Sequence, residues 1–317
     1  MTLTSASPSS LLAQRPFVFM WLARVASTMG IQMLALTIAW KLYQLTNSPL
    51  DLGLVGLIQF VPSALLTLLI GHVADRYDRR LIIRGAQTIS AIAAAVITAA
   101  LFIGFIDRNI LFVAVFLIGC ARAFEVPTTS ALVPSLVPAS MITRAVAGWA
   151  SANQIAVIAG PALGGLIYAF SPLAVSSLCL LFFAAAITFV TLIRIERVTT
   201  DEKREPPSLS SVLAGLHYVR SRSRLLGVIT LDLFVVLLGG ATALLPVYAR
   251  DILHAGPIGL GLLRSAPAAG ALLSAVWLSH HPIESRIGPK MFAAVAVFGL
   301  ATIAFAVSTS FPLSLAA

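Results

Sequence analysis

Arg24, Arg122, Glu125, Asp232 and Arg264 each fall inside a stretch of sequence otherwise built mainly from Leu, Ala, Ile and Val. A charge in such a setting is expensive, so it marks either a pairing or a function. Arg122 and Glu125 stand three residues apart, a spacing that shares one helix face. Glu125 could carry a proton there, with Arg122 tuning it; the same pair could equally neutralise itself and only fix packing. Asp232 is the other candidate proton carrier, set roughly 10 Å into its stretch at 1.5 Å per residue. It could instead bond to a neighbouring helix. In both cases an apolar surrounding favours the protonated form of a carboxylate. Arg24 sits at similar depth in the first stretch, where a side chain of that length can also snorkel. Gln32, Asn153 and Gln154 add polar groups that could face a cavity or bond between helices.

The chemistry these residues could do is proton and solute handling rather than bond making. The sequence has no phosphate-binding loop, no metal-ligating cluster and no nucleophile beside a base. An enzyme and an ATP-driven pump are therefore both disfavoured, and no cofactor or metal is expected. Cys120 and Cys179 lie in apolar stretches without a partner at metal-ligand spacing. Free cysteine of this kind behaves as a small buried hydrophobe.

The elements that must position these groups are membrane-spanning helices. Hydrophobic residues make up 59% of the 317, and charged residues 10%. A soluble domain carries about 25% charge. A core of this size could not hide so much apolar surface, so lipid must be its solvent. Nine stretches are long enough to span, at about 20 residues each. They run 17–40, 52–74, 85–105, 110–130, 145–170, 172–195, 225–249, 257–279 and 291–310. Period-two alternation is absent, which argues against a β-barrel and for an all-α membrane protein. The first stretch is too long for a signal peptide and contains Arg24.

Charge sets the expected orientation. Fifteen of the eighteen Lys and Arg residues outside the spans fall on the side of the N-terminus; only Lys41, Arg108 and Arg250 fall on the other. Such a bias places the N-terminus in the cytoplasm of a multi-pass inner-membrane protein. It also accounts for the net charge of +9 without nucleic acid as a partner. The longest polar segment, 194–224, contains Pro206-Pro207 and then Leu209, Val212, Leu213 and Leu216 on one helical face. That spacing predicts an amphipathic helix on the membrane surface. The expected organisation is a six-helix bundle over 1–195, a linker over 196–224 and three further helices over 225–317.

An internal repeat supports two related halves. Gly56-Leu57-Ile58-Gln59-Phe60-Val61-Pro62 in the second span matches Gly261-Leu262-Leu263-Arg264-Ser265-Ala266-Pro267 in the eighth, with Arg264 in the place of Gln59. Repeated halves are characteristic of secondary transporters.

Three motifs carry a resemblance. Gly71-His72-Val73-Ala74-Asp75-Arg76-Tyr77-Asp78-Arg79-Arg80 follows the second span. It resembles the G-x-x-x-D-R-x-G-R-R loop of the major facilitator superfamily, with Asp78 where that pattern more often has Gly. Gly160-Pro161-Ala162-Leu163-Gly164-Gly165 in the fifth span resembles the G-P-x-x-G-G element of the exporter branch, with Ala156 for its upstream Gly. Arg122 to Val126 resembles the fourth-span R-x-x-Q-G element, with Glu125 for Gln and Val126 for Gly. Longer stretches, among them 240–251 and 259–264, are similar to the enterobactin-exporter-like and drug-efflux permeases of that superfamily. The resemblance implies twelve helices in two six-helix bundles, a substrate site between them, and alternating access. It implies proton-coupled export of small amphipathic molecules of drug or siderophore type. An uptake permease of the same fold, or a non-transporting remnant or scaffold, are the alternatives. Against twelve helices, nine leave the second bundle incomplete, so the 317-residue chain is not expected to transport alone.

Overall fold

The computed structural model describes residues 11–193, 219–281 and 287–317. All regular structure among them is helical, and eight helices are long and apolar enough to cross a membrane. Six come first: α1 (Arg15–Thr46), α2 (Pro49–Arg76), α3 (Arg79–Ile103), α4 (Arg108–Leu132), α5 (Ile142–Phe170) and α6 (Pro172–Leu192). After the undescribed stretch come α7 (Ser223–Leu238), α8 (Gly256–His280), α9 (Ile287–Val307) and the short α10 (Phe311–Ala316).

The turns follow from local chemistry. Asn47 takes a left-handed conformation, φ 49°, and its N–H returns to the Tyr43 carbonyl, which ends α1. Ser48 then caps α2 by accepting from the Asp51 N–H, with Pro49 in the first turn. Gly104, φ 77°, closes α3, and Asp107 caps α4 through the Ile110 N–H at 2.9 Å. Each cap satisfies backbone donors that lipid could not.

The seventh apolar stretch does not form the single helix expected of it. α7 stops at Leu238, and the chain continues as a 3₁₀ segment, Gly239–Leu244, a helical turn, Leu245–Val247, and a π-turn, Tyr248–Ile252. Gly239-Gly240 lowers the cost of leaving the α-helix, and Pro246 removes a backbone donor. Apolar length did not reveal this because most of residues 225–249 are apolar whichever helix type they adopt. The amphipathic helix expected over Ser208–Leu216 lies outside the described residues.

α1 runs through the centre. Ala23, Met33, Leu34, Leu36 and Leu42 on it are wholly buried, packed against α5 and α6. α3 packs on α4 and α6, and α2 on α4. One apolar cluster runs from Met29 through Ile97, Leu111 and Phe183 to Leu245, Ala249, Leu260 and Leu263, so the later helices share a core with the earlier six. Large apolar residues such as Leu65, Leu181 and Leu300 point outward. That is the surface expected where lipid, not water, is the solvent.

Candidate functional site

α1, α3, α4 and α5 bring polar groups together inside this apolar bundle. Glu125 is 2% exposed. One carboxylate oxygen accepts from the Ser27 hydroxyl at 2.7 Å and from Gln87 Nε2 at 3.3 Å. Arg24, one turn before Ser27 on α1, donates from Nη2 to Asn153 Oδ1 at 2.8 Å. Its guanidinium lies over the Trp149 ring, 5.0 Å from the centroid, in the electrostatic field of Glu125. Arg24 and Glu125 thus lie in each other's field without touching, with Asn153 and Trp149 holding the one and Ser27 and Gln87 the other. Gln87 Oε1 and Arg24 Nε are buried and unbonded, which leaves the cluster a free acceptor and a free donor.

Arg122 is exposed, while Glu125 is buried against Ser27 and Gln87. The charge of Arg122 nevertheless acts on Arg24, opposing that of Glu125. Asp232 is likewise exposed, on α7.

A second polar location lies between the early and late helices. A cavity of about 230 Å³ is lined by Ala35 and Ile38 of α1, Leu52 and Gln59 of α2, Thr242 after α7, and Arg264 of α8. Gln59 and Arg264, matched positions of the internal repeat, therefore face the same space from two halves. Arg264 Nη1 is buried with no hydrogen-bond partner among the described residues.

The glycine motif of α5 packs against two of the helices that line that cavity, α1 and α8. A Cβ on Gly165 would collide with the Pro257 carbonyl and lie 3.1 Å from Gly261 Cα. A Cβ on Gly160 would lie 2.7 Å from Gln32 Cβ, and one on Gly164 would lie 3.2 Å from Met33 Cα. The motif thus lets α1 and α8 pack against opposite sides of α5 at backbone distance, with Pro161 buried between them. Ser265 adds a hydroxyl bond to the Ile158 carbonyl at 2.7 Å, and Gln154 Nε2 donates to the Ala268 carbonyl.

Contacts between halves also gather at the helix ends near Asn47. Tyr43 donates its hydroxyl to Asp251. Arg250 donates to Asn47 Oδ1 at 2.8 Å and to the Tyr43 carbonyl at 3.2 Å. At the opposite end, Leu273, Val276 and Trp277 of α8 are exposed. The sequence did not mark Tyr43, Arg250, Asp251 or Gln87 as site residues, although Gln87 carries a signal as a lone amide in an apolar span.

The arginine-rich loop is described in part. The side chains of Gly71, His72, Asp75 and Arg76 lie outside the described residues. Asp78, in place of the more usual Gly, has φ −59°, a conformation open to any residue, and caps α3 by accepting from the Arg80 N–H. Arg80 pairs with Asp78 at 2.7 Å and donates to the Ile193 carbonyl at 2.9 Å, while Arg79 donates to the Ala131 carbonyl at 2.9 Å. The two arginines thus tie the start of α3 to the ends of α4 and α6.

The comparisons with known proteins agree with this architecture. Residues 6–317 match the family described as transmembrane secretion effector. Macrolide efflux protein A of Streptococcus pyogenes is 26% identical over 267 residues, covering 83% of this chain and 65% of that protein. Multidrug efflux pump Tap of Mycobacterium tuberculosis is 27% identical over 282 residues, covering 84% and 66%. The chain thus spans just under two thirds of the length of these relatives. Among solved structures, a bacterial homologue of the human lysosomal transporter Spinster, inward-facing and unoccupied, superposes with a TM-score of 0.71 at 15% identity, over 95% of this chain and 71% of that one. A bacterial homologue of the iron transporter ferroportin in an inward-facing state gives 0.64 at 19% identity, over 97% and 80%. The chain belongs to the transmembrane secretion effector family of the major facilitator superfamily, a family of multi-pass membrane transporters rather than enzymes.

Proposed function

We propose that the protein exports small amphipathic molecules across the inner membrane by alternating access, driven by protons that Glu125 carries. The observation that carries this reading is Glu125 itself: a buried carboxylate reached by hydrogen-bond donors from α1 and α3 and balanced by Arg24. A carboxylate so placed can take up or release a proton, and either step changes the charge balance with Arg24. Helices that pack differently in the two states would couple that change to the opening of the pathway. The relatives named for macrolide and multidrug efflux support export, and the G-P-x-x-G-G element fits it.

The cation bias of the loops supports a cytoplasmic N-terminus and a cytoplasmic Arg76–Arg80 loop. In that orientation the Asn47 end is extracellular. The contacts of Tyr43, Arg250 and Gly165 then close the outer side, and the cavity belongs to an inward-open state. The division into a bundle over 1–195, a linker over 196–224 and a second set of helices over 225–317 belongs to the same reading. So does the membrane-surface helix at Ser208–Leu216.

The test is reconstitution of the protein, completed to the full length of its relatives, into vesicles with an imposed pH gradient and a panel of amphipathic dyes. At least one dye should move against the proton flow, and empty vesicles should show no such movement. Dye movement that ignores the sign of the gradient, or none at all, would overturn the proposal. Labelling of a cysteine placed at Ser208 by an impermeant reagent outside intact cells would reverse the orientation.

A further inference from the structure

We infer that Arg264 is a recognition point for an anionic head group on the cargo, seated in the cavity between α1, α2 and α8. This rests on the export reading above and narrows its substrate class to amphipaths carrying a carboxylate, sulfonate or comparable oxygen-rich anion.

The argument is one of charge balance. A guanidinium stays protonated under any condition the protein meets. Buried, it costs several kcal/mol unless a counter-charge or acceptors satisfy its donors. The described carboxylates are engaged or turned away from it. Asp51 lies against Arg108, Asp78 against Arg80, and Asp107 caps α4. Glu125 takes Ser27 and Gln87, Asp251 takes Tyr43, and Asp232 is exposed. Arg264 Nη1 meets none of them and no other acceptor among the described residues. Yet the Arg264 side chain lines a partly open space of about 230 Å³, enough for a head group with part of an apolar body. Apart from Arg264, the polar side chains lining that space are those of Gln59 and Thr242, and its other walls are apolar. An anion there would gain a charge-assisted hydrogen bond from Arg264, with the Gln59 amide available as a second donor. A cation would meet an unscreened like charge, so the site selects by sign. The repeat explains the design: the same backbone position carries a neutral amide in one half and a charge in the other.

The test compares two probes with one ring system and opposite charge, naphthalene sulfonate and naphthylmethylammonium, by equilibrium dialysis against the protein in lipid nanodiscs. The sulfonate should bind saturably and about tenfold or more tightly than the ammonium. Arg264→Gln should abolish that preference, and Arg264→Lys, which keeps the charge but loses the planar fork, should retain part of it. Equal or tighter binding of the ammonium, or an unchanged preference in Arg264→Gln, would overturn the inference. So would displacement of the sulfonate by chloride at equal concentration, which would mark a site for small inorganic ions. If Arg264→Gln does not fold, the wild-type preference and the Arg264→Lys variant still decide. Binding by sign does not depend on a gradient. Failure of gradient-driven transport would therefore sink the export reading and leave this one standing, and the converse also holds.

Discussion

Arg24 and Arg264 are both guanidinium groups set in apolar helices, and their surroundings differ in kind. Arg24 has an acceptor in Asn153, an aromatic face in Trp149 and an opposite charge in Glu125. Arg264 borders a cavity and leaves Nη1 unbonded. The first arrangement finds most of its partners within the protein, with Arg24 Nε left unbonded; the second has a cavity where the first has partners. The difference separates two jobs in one membrane protein. An internally balanced charge pair can respond to a proton, whereas an unbalanced charge can respond to a solute.

The comparison is broken most forcefully at Gly165. Gly165→Val places branched carbon against the Pro257 backbone, which no rotamer can relieve. The α5–α8 contact should open and admit water to Arg264, while the Arg24 cluster on the far side of α1 keeps its partners. Transport should fall by about tenfold or more, for a cost of at least ~1.4 kcal/mol in the closed state. Cysteine labelling at Ser265 should rise and labelling at Ser27 should not. Unchanged labelling at Ser265 would show that the glycine contact does not seal the cavity.

Stability sharpens the contrast next. Arg24→Gln removes the bond to Asn153 and the stacking on Trp149 and takes an opposite charge from the field of buried Glu125, so the thermal transition in detergent should fall, at a cost of about 1–3 kcal/mol. Arg264→Gln removes a group with unmet donors and should be neutral or mildly stabilising, within about 1 kcal/mol. Equal losses in the two variants would erase the distinction. A smaller effect is expected at Tyr43→Phe, which deletes one hydrogen bond between halves at the Asn47 end. It should cost about 1 kcal/mol or less and modestly raise the reactivity of a cysteine placed at Thr46. Asp232→Asn should be smallest of all. Its side chain is exposed on α7, so gradient coupling should persist, and loss of coupling there would move the proton site away from Glu125.

Much of this fold could be read from the chain because the signals are one-dimensional. Apolar length located the helices, and polar or turn residues such as Asn47, Ser48 and Pro49 marked their ends. The break after Leu238 escaped notice because apolar length does not distinguish a 3₁₀ segment from an α-helix. The site was legible in part for a related reason. Sequence identifies which charges are costly, and so picked out Arg24, Glu125, Asn153 and Arg264. It cannot say which neighbouring helix each one faces. Spacing put Arg122 and Glu125 on one face, and it could not foretell that Glu125 bonds to Ser27 of α1 and Gln87 of α3. The bond from Tyr43 to Asp251 joins residues 208 positions apart, and no local pattern announces a contact of that range. The repeat did better: it matched Gln59 with Arg264, and the structure places both at one cavity.

The central claim, that Glu125 carries the proton, is tested most directly by proton movement itself. Vesicles loaded with a pH-sensitive dye would receive the protein, as wild type or as Glu125→Gln, together with a gradient of a transported amphipath and no initial pH difference. Flow of the amphipath down its gradient should drive a counterflow of protons in the wild type. In Glu125→Gln the amphipath should still exchange across the membrane while the internal pH stays flat. Proton flux of wild-type size in Glu125→Gln would contradict the account and place the coupling elsewhere in the protein.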